Sequence, residues 1–104
     1  MTLLERIKDA YEKIGYKPVR RSYVNHEAKV CCPLAAISLK ELGRDIFVYP
    51  HSLSRMGKIL NHDMNWVWGF IKGFDGYSEY DLISEDDKDG YNSGKEIGKA
   101  LFGE

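Results

Sequence analysis

The first apolar pattern of the chain has the period of an α-helix. The apolar residues that fall on one helical face are Leu3, Ile7, Ala10, Tyr11 and Ile14. Thr2 and Glu5 have the spacing of a capping box, in which each side chain accepts a hydrogen bond from the backbone N–H of the other residue. Gly15 is a typical residue just beyond a helix C-terminus. The pattern therefore predicts a helix that begins after Thr2 and ends at Gly15.

The segment CCPLAAISLKELG predicts a second helix, buried on most of its circumference. Pro33 suits the first turn of a helix, because the N–H that proline lacks would have no partner there. Gly43 suits the end of the same helix. The apolar residues that cover its surface are Leu34, Ala35, Ile37, Leu39 and Leu42. We expect a helix with so wide an apolar surface to lie at the centre of the core.

Two stretches around this helix lack a helical period. Residues 16–30 indicate an irregular arm in which PVRRSYV could form a short strand, and the apolar stretch IFVYP could pair with it. Ser52 can then cap a short helix. The residues of that helix that are expected to point inward are Leu53, Met56, Ile59 and Leu60.

Two further helices are predicted in the second half of the chain. The segment NHDMNWVWGFIKGFDG carries an apolar stripe that is broad enough to cover most of a helix, so this helix is expected either to pack on two neighbours or to offer a face to a partner. The stripe consists of Met64, Val67, Trp68 and Ile71, widened by Trp66, Phe70 and Phe74. Ser84, followed by three acidic residues, is a typical helix start, and we expect the last helix to run to about Phe102.

Glycines recur at four-residue intervals in these two helices, at Gly69 and Gly73 in the first and at Gly90, Gly94 and Gly98 in the second. Each glycine inside a helix costs about 0.8–1 kcal/mol relative to alanine, so a compensating contact is expected. Small residues at this spacing allow two helix backbones to approach closely. We therefore expect the two glycine faces to pack on each other within one chain or, alternatively, between two copies in a homodimer.

These patterns predict an all-α domain, a bundle of four or five helices with at most one short strand pair. A chain of 104 residues has the usual size of one domain, so residues 1–104 are expected to form a single helical domain. No apolar run approaches the roughly 20 residues that span a bilayer. Since the N-terminal segment is charged throughout and the adjacent Cys31 and Cys32 suggest free thiols, we expect a cytoplasmic protein without membrane contact.

Charge is unevenly distributed, although the formal net charge is −1. Residues 13–29 carry five cations and one acid, whereas residues 74–90 carry seven acids and one cation. We call these the basic arm and the acidic segment. They could bind separate partners or face each other in the fold, and the sequence does not decide between these alternatives.

The segments CCPLAA, WGFIKGFDG and GYNSGKEIGKALF together resemble a loosely defined set of small proteins from bacteria and their phages. The resemblance covers roughly the C-terminal two-thirds of the chain, and its motifs consist of glycine and aromatic packing residues. It implies a family without a known activity. A phage origin would imply an inhibitor or accessory factor that acts stoichiometrically.

A cysteine and a histidine are the candidates for catalysis. Cys32 precedes Pro33 at a predicted helix N-terminus, a position that favours a thiolate, and His26 could act as its base. The neighbours of Cys32 are apolar, however, and a cysteine in such a context is usually a small buried residue. Neither the three histidines nor the segment DKDGYNSGKEIG, which lacks essential calcium ligands, predicts a metal site, and no cofactor is predicted.

The basic arm mixes cations with aromatic side chains, as proteins that bind RNA or single strands do. The residues that would contact such a ligand are Arg20, Arg21, Tyr23, His26 and Lys29. The segment SLSRMGKILN also resembles the recognition helix of a helix-turn-helix. Eight residues separate Gly43 from Ser52, however, whereas that motif has a turn of three or four residues.

No acid, base and nucleophile converge in the sequence, so the favoured function is a small non-catalytic module that binds a protein partner. Such a module could be a monomer or a homodimer. Nucleic-acid binding through residues 13–29 is the alternative, and a cysteine-dependent enzyme that uses Cys32 is the third hypothesis.

Overall fold

The computed structural model describes residues 1–44, 52–79, 82 and 84–104, and these residues form five α-helices and a small sheet of three strands. The chain divides into an N-terminal unit, Met1–Phe47, and a C-terminal unit, Val48–Glu104. The mostly helical class is confirmed, but three strands are present where at most one pair was predicted. That residues 1–104 form a single domain stays a prediction.

The N-terminal unit contains α1 (Leu3–Ile14) and α2 (Pro33–Leu42), whose ends lie where the sequence predicts them. The predicted capping box is confirmed, since the Glu5 N–H donates to Thr2 Oγ1 at 3.1 Å and the Thr2 N–H donates to Glu5 Oε1 at 3.0 Å. Residues 33–38 of α2 are all buried, as predicted for a central element, but Leu42 at the end of the helix is 45% exposed and does not belong to the buried surface.

The sheet of the N-terminal unit consists of β1 (Lys17–Pro18), β2 (Val24–Asn25) and β3 (Val30–Cys31) in the order β1-β3-β2. Strand β3 pairs in parallel with β1 and antiparallel with β2. One face is exposed at Lys17 and Asn25, whereas Cys31 on the other face is fully buried. The Tyr11 hydroxyl of α1 donates to the Cys31 carbonyl at 2.7 Å and so ties the sheet to the helix. The predicted strand IFVYP lies outside the described residues.

The C-terminal unit begins with α3 (Ser52–Leu60), joined by a three-residue turn to α4 (Met64–Asp75). Helix α3 starts at Ser52 itself, and the side chain of Ser52, which was predicted to cap it, lies outside the description. The His62 N–H donates to the Gly57 carbonyl at 2.8 Å. A methyl group on Gly57 would lie 2.6 Å from the His62 carbonyl oxygen, so this turn requires glycine. Asn61 supplies the left-handed residue of the turn with φ 59°.

Helix α4 buries only part of the predicted apolar stripe. Trp66, Val67, Phe70 and Phe74 are buried, whereas Met64 and Trp68 are 50% and 40% exposed. The Trp66 and Phe70 rings stack along the buried face with centroids 5.4 Å apart, and the exposed His62 ring of the preceding turn stacks on Trp66 with centroids 3.8 Å apart. Of the two predicted alternatives for this helix, packing on two neighbours or offering a face to a partner, the exposure of Met64 and Trp68 fits the second. An almost uniformly apolar helix does not reveal its buried face through its period.

Helix α5 (Glu85–Phe102) packs on α4 with backbone against backbone. A methyl group on Gly69 would lie 2.8 Å from the Asp87 carbonyl carbon and closer still to its oxygen, and one on Gly73 would meet the Tyr91 carbonyl in the same way. The glycines of α5 are equally close to α4. A methyl group on Gly90 would meet the Trp66 carbonyl, and one on Gly94 would meet the backbone of Phe70 and Phe74. Each of these glycines therefore directs a Cα–H bond at a carbonyl oxygen of the other helix.

The pairing of contacts gives the relative direction of the two helices. Residue numbers rise together along both, since Gly69 meets Asp87 and Gly73 meets Tyr91. Helices α4 and α5 are therefore parallel. Gly69 corresponds to Gly90 and Gly73 to Gly94, so the two helices also begin at the same level.

Candidate functional site

The sheet of the N-terminal unit carries all five candidate ligand-binding residues of the basic arm, but at two different ends. Arg20, Arg21 and Tyr23 belong to the loop between β1 and β2. His26 and Lys29 belong to the turn between β2 and β3, beside the start of β1, where the Lys17 N–H donates to the Lys29 carbonyl at 3.0 Å. We call residues 16–31 the basic sheet. Its two ends present separate groups of cations.

The loops of the basic sheet are held by backbone contacts. The Ala28 N–H donates to Asn25 Oδ1 at 2.9 Å, which closes the turn before Lys29. The Cys32 N–H donates to the Tyr23 carbonyl at 2.8 Å, which fixes Tyr23 at the start of the buried helix α2. The Tyr23 ring is nevertheless 48% exposed. The backbone N–H of Cys32 thus helps to position Tyr23, an aromatic residue of the basic arm.

Arg21 and Lys29 adopt left-handed backbone conformations with φ of 60° and 55°. This region costs a residue with a Cβ atom roughly 1–2 kcal/mol, and glycine or asparagine usually occupies it. Both side chains are exposed. Nothing in the backbone favours a cation at either position, and no signal in the sequence indicated these conformations.

The net charge of the N-terminal unit resides in the basic sheet. Residues 16–31 carry four cations and one acid, whereas the rest of Met1–Phe47 carries five cations and five acids. Two of the cations on the helices are paired, since Arg6 binds Glu41 at 2.6 Å and Lys40 binds Asp9 at 3.3 Å. The sheet therefore forms the positive surface of an otherwise neutral unit.

Cys32 and His26, the predicted catalytic candidates, have separate partners. Cys32 is only 7% exposed and caps α2, where its Sγ accepts the Ala35 N–H at 3.4 Å. The predicted burial of Cys32 is confirmed. His26 is exposed, and its Nδ1 lies 2.7 Å from the Tyr16 hydroxyl. Burial raises the pKa of Tyr11 beneath the sheet well above its usual range, which keeps this hydroxyl a donor to Cys31.

Within the described part of the chain, no three histidine, cysteine, aspartate or glutamate side chains are placed to hold a metal ion. The segment DKDGYNSGKEIG, which resembled the opening of a calcium loop, lies inside α5.

The glycines predicted as a packing surface are buried in the C-terminal unit. Gly69 and Gly73 face the backbone of α5, and Gly90 and Gly94 face that of α4, all within one chain. Gly98 is also buried. The indole N–H of Trp66 donates to Asp89 Oδ2 at 2.9 Å and adds a polar link between the same helices. The close crossing makes α4 a rigid support for side chains on its outer surface.

The outer surface of α4 carries exposed apolar side chains; the sequence predicted that this helix could offer a face to a partner but did not identify the residues of that face. Met64 and Trp68 lie one turn apart and are both exposed, and Lys72 Nζ lies 4.9 Å from the centre of the Trp68 ring. We call these three residues the α4 patch. An open groove of about 530 Å³ continues from it between α3 and α4. The groove is lined by Ser54, Gly57, Lys58, Asn61, His62, Asp63 and Met64. The positions of the glycines in the sequence were the signal that could have identified this patch. They mark the packed side of α4, and the patch lies on the side away from them.

The turn between α3 and α4 also changes the helix-turn-helix hypothesis. In the C-terminal unit, α3 is the first helix of such a pair and α4 is the second. The exposed residues of α4 include Met64, Trp68 and Asn65 rather than a row of cations. For α3 to be the second, DNA-reading helix, residues 45–51 would have to form the turn that precedes it. These residues lie outside the description.

No family model, curated protein or solved structure matches the chain. Of the helices in residues 1–44, 52–79, 82 and 84–104, none combines the length and the apolar character required to cross a bilayer.

Proposed function

We propose that this protein is a small non-catalytic module that binds a partner protein through the α4 patch and the adjoining groove. The observation that carries the proposal is the pair Met64 and Trp68, exposed one turn apart on a helix whose opposite face is buried. Tryptophan and methionine are enriched in protein interfaces, and tryptophan is among the commonest hot-spot residues.

The partner that suits this surface is an amphipathic helix with carboxylates beside its apolar face. Lys72 flanks the patch, and Lys58 lines the groove. The groove also contains Asp63, but this carboxylate caps α4 by accepting the Asn65 N–H at 2.8 Å. A helix that lays apolar side chains in a groove is a common mode of protein recognition, and opposite charges at the rim orient it.

Such a function requires one saturable interface and no catalytic group. It is compatible with the stoichiometric role of an inhibitor or accessory factor that the resemblance to small bacterial and phage proteins implies. A rigid α4 supports it as well, since side chains on a preorganised helix lose less conformational entropy on binding.

The test is affinity capture with three immobilised forms of the protein, followed by quantitative mass spectrometry and binding measurements on the purified partner. We expect at least one protein to be captured by the parent and lost with Trp68→Ser. A hot spot worth about 2 kcal/mol would weaken the direct binding roughly 30-fold.

The matched control is Tyr77→Ser, which removes another half-exposed aromatic side chain of the same unit. It should leave capture unchanged. If every captured protein is retained by Trp68→Ser, or if Tyr77→Ser has the same effect, the α4 patch is not the interface.

A further inference from the structure

We propose that the basic sheet of the N-terminal unit binds single-stranded nucleic acid, at a site separate from the α4 patch. The first argument is the placement of charge. The helices and connections of this unit are neutral in total, and its whole positive excess lies on residues 16–31. A localised positive surface of this kind attracts a phosphate backbone.

The second argument is the backbone conformation of two of these cations. Arg21 and Lys29 occupy left-handed positions that glycine would fill at lower cost, and they lie at opposite ends of the sheet. Non-glycine residues in left-handed conformations cluster at functional sites, and both of these carry an exposed cation. Two such residues on one small sheet could contact phosphates on either side of it.

The third argument is the presence of aromatic rings beside the cations. Tyr23 is half-exposed and is anchored through its carbonyl to the start of α2. At the other end of the sheet, the Tyr16 and His26 rings meet edge to face with centroids 5.8 Å apart. Exposed rings next to cations form the stacking platforms on which unpaired bases bind, whereas a duplex offers no free base face.

The edge of the sheet argues against an acidic peptide that binds by strand addition. The N–H groups of Lys17 and Val19 both point inward, since they donate to carbonyls at Lys29 and Cys31. Pro18 lies between them and has no N–H to offer outward. At residues 17–19 the β1 edge of the sheet therefore has no N–H to donate to an added strand.

The experiment measures fluorescence anisotropy of labelled oligo(dT) and oligo(U) ten-mers with the full chain at 50 and 200 mM salt. Four cations that each neutralise one phosphate of a single strand give a slope of log affinity against log salt of about −2.8. We expect affinity to fall about 50-fold between the two salt concentrations.

The variants separate charge from stacking. Arg21→Gly and Lys29→Gly should each weaken binding about fivefold at 0.1 M salt and reduce the slope by about 0.7. Both substitutions suit the backbone, so lost binding would not reflect lost folding. Tyr23→Leu should weaken binding about 5- to 150-fold without changing the slope, because stacking contributes about 1–3 kcal/mol per base. Lys8→Gln removes an exposed cation from α1 and should have almost no effect.

Polyphosphate and polyglutamate of similar charge complete the experiment. The proposal is supported if both bind more weakly than the oligonucleotides and are insensitive to Tyr23→Leu. It is overturned if no oligonucleotide binds at 50 mM salt. It is also overturned if polyglutamate binds as tightly as oligo(dT), or if Lys8→Gln weakens binding as much as Arg21→Gly. None of these results depends on the α4 patch, so they leave the proposed function to its own test.

Discussion

The two units of the chain differ in how well residue type matches backbone conformation. In the described part of the C-terminal unit, the left-handed positions are Asn61, Gly76 and Gly103, all of a type that tolerates this conformation. Glycine also stands wherever α4 and α5 touch through their backbones. In the N-terminal unit, by contrast, Arg21 and Lys29 occupy left-handed positions on the basic sheet.

This difference separates glycines that a backbone contact requires from residues that occupy a left-handed position at a cost. Each glycine that faces the other backbone at the α4–α5 crossing is accounted for by that contact. Arg21 and Lys29 carry exposed side chains at positions where glycine would be more stable. Substitution at the two kinds of site should therefore change stability in opposite directions.

The largest effect is expected at the crossing. A methyl group on Gly94 would lie 2.8 Å from the Phe74 nitrogen and 2.9 Å from the Phe70 carbonyl carbon, and neither backbone atom can move independently. Overpacking costs about 1–3 kcal/mol or more, which exceeds the gain in helix propensity of about 1 kcal/mol. We expect Gly94→Ala to lower the free energy of unfolding by about 2 kcal/mol in urea denaturation, and Gly94→Leu to lower it further.

The control for this prediction is Lys95→Leu, an exposed position on the same helix that should stay within about 0.5 kcal/mol of the parent. An alanine variant that unfolds at a higher urea concentration than the parent would show that the crossing is not tight. Sedimentation of the parent and of Gly94→Leu tests the homodimer alternative. A parent dimer that the leucine dissociates without unfolding would place the glycine contact between two chains.

A smaller effect of opposite sign is expected in the basic sheet. Arg21→Gly and Lys29→Gly should each raise the free energy of unfolding by about 1 kcal/mol, because each substitution removes the Cβ atom that disfavours the left-handed conformation. Thermal unfolding monitored by circular dichroism would detect this as a higher Tm. Asn61→Gly, in the C-terminal unit, should gain less because asparagine already tolerates this conformation. A lower Tm for both sheet variants would mean that their side chains stabilise the fold.

The smallest effect concerns the ion pair between α1 and α2. Arg6 donates to both carboxylate oxygens of Glu41, at 2.7 and 2.6 Å, and these hydrogen bonds lower the pKa of Glu41 from 4.5. A lowered pKa in the folded state adds stability at neutral pH that is lost as the pH falls through it. The pair is partly exposed, at 29% and 27% of the two side chains, so we expect Arg6→Met to cost about 1 kcal/mol or less at pH 7 and almost nothing at pH 3.

The matched variant for the ion pair is Lys8→Met, an exposed cation on the same helix. Its effect on the free energy of unfolding should not change in this way between pH 7 and pH 3. If the cost of Arg6→Met were equal at both pH values, it would report lost packing of the arginine side chain instead of the charge interaction.

The features that were predicted correctly from the sequence depend on residues that are close to one another along the chain. The capping box of Thr2 and Glu5, the cap at Ser84 and the end of α5 at Phe102 follow from local hydrogen bonding and helix propensity, and all were placed correctly. The spacing of the glycines likewise indicated a close approach, since helix geometry alone puts them on one face.

Features that depend on distant parts of the chain were not predictable in the same way. Strands of two residues are too short to show an alternating pattern, so the parallel pairing of Lys17 with Val30 gave no signal. The sequence did not show which face of α4 is buried, because Met64 and Trp68 are as apolar as the residues that are buried. Two consecutive helices usually pack antiparallel, and the parallel direction of α4 and α5 is set by their contacts.

The parallel direction of α4 and α5 has an electrostatic consequence. In an antiparallel pair the macrodipoles oppose each other, whereas here both positive ends lie side by side and amount to about one full positive charge. Asp63 caps one of these ends, and Glu85, Asp86 and Asp87 occupy the first turn at the other. At the opposite end, Lys72 and Lys99 lie in the last turns. Much of the acidic segment therefore neutralises a field that the parallel pair itself creates.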